Sequence, residues 1–175
     1  MRTLVAAAGV ALVLTGLAVA APQADTYKLT STLKARAEVP RPTGVPAGAN
    51  GHFTGTAVEL ANDRARLSWH LTFSQLSGKA IAAHIHAGKV GKAGNVIVPL
   101  CGPCRNGQRG KATLTHAQFH VIELGRAYVN VHTPKNAAGE IRGQVKSTEV
   151  EGSGSSDPPP SPAPPGPPPP PVPYP

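Results

Sequence analysis

KAIAAHIHAGKVGKAGNVIVPL runs from Lys79 to Leu100. Its opening residues alternate, with Ile81, Ala83 and Ile85 on one side and Ala82, His84 and His86 on the other. Side chains of a β-strand point to opposite faces in turn, so this is a half-buried strand carrying two imidazoles side by side. The glycines of HAGKVGKAG, beginning with Gly88, make the next stretch a turn, and NVIVPL reads as a short apolar strand after it.

The same period of two recurs outward from this hairpin. TYKLTSTLKARAEV (26–39) places Tyr27, Leu29, Leu33, Ala35, Ala37 and Val39 inside, with Lys28, Thr30, Thr32, Lys34, Arg36 and Glu38 outside. HFTGTAVEL (52–60) and ARLSWHLTF (65–73) are two more strands, the second burying Leu67, Trp69, Leu71 and Phe73. AYVNVHT (127–133) and EIRGQVK (140–146) complete the set, with Ile141 and Val145 on one face. One segment departs from this period. In LTHAQFHVIELGRA, Thr115 and Gln118 have the spacing of a capping box, and Gly125 suits a helix end. A short helix is expected over 116–124, with Ala117, Val121 and Leu124 on its buried face. Many short strands with one helix predict a mainly β fold, an antiparallel Greek-key sandwich or barrel.

The two ends differ from this middle. MRTLVAAAGVALVLTGLAVAAPQ has one arginine, an apolar run and the small-x-small residues Ala18, Val19 and Ala20, the pattern of an export signal cut after residue 20. No later stretch is long and apolar enough to span a bilayer as a helix. Residues 151–175 are Gly/Ser-rich and then proline-rich, so they form neither helix nor sheet and read as a spacer or docking strip. A β domain over 25–150 remains, and the chain is placed as secreted, periplasmic or at the cell surface. The formal charge of +8 is spread along the sequence without interleaved aromatics. That suits loose attraction to anionic surfaces rather than specific nucleic-acid recognition.

Three segments, AAHIHAGKVGKAGNVIVPL, LTHAQFHVIELGRAYVNVHT and NAAGEIRGQV, together resemble the signature of the CHRD domain, first described in chordin and widespread in bacterial secreted proteins. The preceding GTAVELANDRARLSWHLTFSQLSG looks like that family's central strands. The resemblance implies a β-rich extracellular module without a defined activity. The strands leading into His84 and His86 are also similar to those before the His-x-His copper motif of copper–zinc superoxide dismutases, and His132 falls roughly where a later strand of those enzymes supplies another ligand. The likeness stops there. No histidine or aspartate lies between Ala87 and Leu100, where that family's bridging histidine and zinc loop would be.

Two constellations invite chemistry. His84, His86 and His132 could converge if their strands are neighbours, and neutral imidazole suits copper, zinc or nickel. Asn130, Thr133 or Glu140 could orient them. The plainer reading, preferred on sequence, has these side chains bonding backbone and holding the glycine turn. Cys101-Gly102-Pro103-Cys104 has the letters of a thioredoxin site, but RNGQRG follows it and starts no helix. A structural disulfide is the expectation, ahead of a redox pair or a thiolate metal site. In GEIRGQ, Glu140 and Arg142 are expected on a solvated strand face, with Gly139 and Gly143 serving a turn and a close approach. The functional expectation is therefore an exported, non-enzymatic module binding an extracellular protein or a surface polymer. The alternative is a mononuclear copper or zinc protein.

Overall fold

In the computed structural model, residues 24–60 and 62–150 are described; the expected export segment and proline-rich tail lie outside them. The chain forms β1 (Thr26–Lys34), β2 (Asn50–Leu60), β3 (Arg64–Ser74), β4 (Ala82–Ala87), β5 (Val96–Cys101), β6 (Gln108–Thr115), α1 (His116–Glu123), β7 (Ala127–His132), β8 (Ile141–Gln144) and β9 (Lys146–Glu149). All pairings are antiparallel, in the order β5-β4-β7-β8-β1-β2-β3-β6, with β9 also on β1. This is a nearly closed barrel or sandwich with one short helix. Its inner face is filled by the alternate apolar residues, among them Leu29, Phe53, Leu67, Ile85, Leu114, Val129 and Ile141.

Several local readings change. β1 stops at Lys34, and Ala35–Ala37 make one 3-10 turn. That breaks the alternation, so Glu38, expected outside, is 2% exposed. Ile81 precedes β4 and is exposed rather than core. The strand β6 has no counterpart in the sequence reading, because QRGKATLT is polar at every other position and supplies only Leu114 fully to the core. EIRGQVK is not one strand. The chain passes from β7 to β1 as its neighbour at Val145, whose N–H donates to Ala127 O.

The helix begins as its capping box requires, with Thr115 Oγ1 accepting from Gln118 N–H and Gln118 Oε1 accepting from Thr115 N–H. Its buried face is Phe119 and Ile122, not Ala117, Val121 and Leu124. Tertiary contact decided this: Phe119 meets the edge of Tyr27 across the barrel end. Gly125 takes φ +66°, the left-handed stop.

Candidate metal centre

β4 lies beside β7, with Ala82 opposite His132, His84 opposite Asn130 and His86 opposite Tyr128. Antiparallel partners project to the same side, so His84, His86, Tyr128, Asn130 and His132 share one face. β8 extends it with Arg142 opposite Asn130 and Gln144 opposite Tyr128. This is the outer face of the sheet, yet His86, Tyr128, Asn130, His132 and Arg142 are all buried. The roof is backbone. Arg142 Nη2 donates to Lys89 O and Lys92 O, and Gln144 Nε2 donates to Gly88 O. A second core, polar rather than apolar, therefore sits outside the barrel.

Within it the nitrogen donors of His84, His86 and His132 all lie within 4.8 Å of one another. Carbonyl oxygens only accept hydrogen bonds, so two tautomers follow directly. His86 Nδ1 donates to Gly94 O at 2.9 Å, and His132 Nδ1 donates to Ala137 O at 3.0 Å. Both Nε2 atoms then carry lone pairs. That of His86 is buried and has no hydrogen-bond partner. That of His132 stands 3.1 Å from His84 Nδ1, which must donate to it. A single proton thus lies between these two imidazoles.

Burial, and next the neighbouring His132 and His86, push the His84 imidazole down to about 4. Burial also lowers His132, against the opposing bond to Ala137. His84 and His132 are therefore neutral near pH 7, the state in which imidazole ligates. Zinc–nitrogen bonds of about 2.0–2.1 Å separate tetrahedral ligands by roughly 3.4 Å. A spread of at most 4.8 Å is within an ångström or two of that. His84 is only partly buried, so the cluster is reached from its side.

The CHRD domain family model matches residues 29–145. The chain belongs to the CHRD domain family. No curated protein and no solved structure matches it. The matched span of this CHRD chain contains all three histidines, both cysteines and the whole polar core.

The residues expected to orient the imidazoles do other work in the CHRD domain. Carbonyls of Gly94 and Ala137 take that role. Glu140 is fully buried and accepts from Ser77 N–H and Oγ, Thr133 Oγ1 and Asn136 Nδ2. Burial alone would raise its carboxyl, but these bonds outweigh it and hold the group below the usual range. Arg142 is not on a solvated face either. It is 2% exposed and lies over the Tyr128 ring. Its counter-charge is Glu38, whose carboxyl burial pushes up to about 7 despite Arg142, Val39 N–H and Asn130. Gly139 sits at φ +135°, a conformation closed to other residues, beside Glu38 and Asn130. Gly143 packs against the Thr32 carbonyl. Tyr128 was legible as sharing His132's strand face; Glu38 carried no signal, because an alternating strand predicts it outside.

Cys101 and Cys104 are joined as a disulfide. Cys101 ends β5 and the chain turns into β6, so no helix begins at the pair.

Proposed function

We propose that this exported CHRD-domain protein holds one copper or zinc ion on His84 Nδ1, His86 Nε2 and His132 Nε2, and acts by binding rather than by turnover. The carrying observation is the convergence of three imidazole nitrogens, two of them aimed inward by backbone carbonyls that fix their protons on the far side. A metal would replace the proton His84 shares with His132 and give the orphaned His86 Nε2 a partner. Three neutral imidazoles suit copper or zinc and leave a further coordination position to water or a ligand. The non-enzymatic reading is supported by the state of the nearby carboxylate. Glu140, which sits beside this cluster in sequence, is taken up by four donors.

Titration of the purified, chelator-treated chain with Cu(II) and Zn(II) should give one ion per chain. His84→Ala, His86→Ala and His132→Ala should each weaken it at least tenfold with the circular dichroism unchanged. Substoichiometric metal indifferent to His84→Ala, the most exposed of the three, would sink the reading.

A further inference from the structure

The outer face that is roofed over β4, β7 and β8 continues, bare, across β9, β1, β2, β3 and β6. Registers align its side chains in rows across the strands. One row reads Lys146, Thr30, Thr54, His70, Arg109. The next reads Thr148, Lys28, Thr56, Ser68, Lys111. Arg66 stands one step further, between Val58 and Thr113. All the lysines and arginines named are exposed. Among the described residues, no outward position of these five strands is Asp or Glu. The rows border a shallow concavity of about 510 Å³ lined by Thr54, Thr56, Ser68, His70, Arg109 and Lys111, with the Gly55–Trp69–Gly110 row between them also reaching it.

We infer that this face binds an anionic polysaccharide, with cationic side chains on its acid groups and threonine and serine hydroxyls on its sugar hydroxyls. Charge complementarity is the first argument: cations far apart in sequence meet on one face with no carboxylate among them. Shape is the second. Four strand spacings of ~4.8 Å separate Lys146 from Arg109, a strip about 19 Å long around the sheet that an extended, flexible chain can follow. Chemistry selects the polymer. Single-stranded nucleic acid is held by aromatic stacking, and duplex DNA is read by elements that enter a groove. Here Tyr27 and Phe53 turn inward and Trp69, only 6% exposed, leaves no ring free for a base to stack on, so the face offers chiefly charge and hydroxyls. The inference is independent of the metal site, which lies on other strands.

Binding of the full chain to immobilised polygalacturonate tests it, with dextran as the neutral polymer and a duplex DNA as the competing polyanion. Polygalacturonate should bind at low salt and weaken as salt rises, while dextran should not bind. Arg109→Gln combined with Lys111→Gln should lower affinity at least tenfold. The single variant Lys28→Gln should lower it several-fold, and Lys79→Gln, on an exposed loop off the face, should stay within about twofold. Failure to bind at low salt, equal loss from Lys79→Gln, or tighter binding of the duplex through Arg109 and Lys111 would each overturn the inference.

Discussion

Arg142 lies flat on Tyr128, its Cζ 3.3 Å from the ring centroid. The same ring stacks on His86 at 4.8 Å with the planes 8° apart. The cation, the phenol and the imidazole form one column, and Arg142 Nη2 alone ties the column to the loop above it, donating to both Lys89 O and Lys92 O.

Arg142→Lys is therefore not conservative. An ammonium is a single point donor, so it cannot lay a planar cation on the ring while a terminal nitrogen reaches past it to two carbonyls. The variant should lose about 3 kcal/mol of stability, from charged hydrogen bonds and the cation–π contact. Amide exchange at residues 88–95 should quicken more than in the barrel strands. Chemical denaturation with hydrogen exchange reads both, and unchanged loop protection would show that the Nη2 bonds do not hold the roof.

Glu38 should make stability depend on pH in the opposite sense to an ordinary carboxylate. Its folded value is raised from 4.5 to about 7, so the folded state keeps its proton longer than the unfolded chain. The contribution is present below pH 4.5 and is lost as pH rises towards 7. At about 1.4 kcal/mol per unit, it is of the order of 3 kcal/mol. Glu38→Gln removes the titration. The wild-type minus variant difference, from denaturation curves across that window, should decline with pH, and a flat difference would contradict the burial argument.

Gly143→Ala should cost about 3 kcal/mol, at the high end for overpacking. A Cβ there would fall on the Thr32 carbonyl and Ser31 Oγ, nearer than carbon approaches backbone. Relief would need β8 to part from β1, which are joined in register only at Lys34 and Arg142. A melting temperature within a degree of wild type would show that the strands yield freely.

The Cys101–Cys104 bond closes a very short loop, so its removal should cost no more than about 2 kcal/mol on loop-entropy grounds. Cys101→Ser with Cys104→Ser should leave metal stoichiometry unchanged. A loss of metal in that variant would move the cysteines from the fold to the site.

The sequence by itself determined most of the strands and their faces, because alternation is local, though it passed over β6 and the turn that buries Glu38. Tyr27 and Leu29 declare their side through neighbours two residues away. It determined equally that His84 and His86 lie together and that Thr115 begins a helix. It also carried the resemblance that assigned the fold, since the signature segments keep their order from 29 to 145. What tertiary structure alone decided is which outer positions are covered. Period two marks His86, Arg142 and Lys111 alike as facing away from the core, and no local signal separates them. The 88–95 loop roofs the first two, next to His86 in sequence but 50 residues or more from Arg142, and nothing roofs the third. Pairing of β4 with β7 likewise sets His132 against His84, 48 residues away. Antiparallel register gathers lysines and arginines from four separate strands onto one face. Local periodicity chooses a side of the sheet; only the path of the whole chain chooses what lies above it.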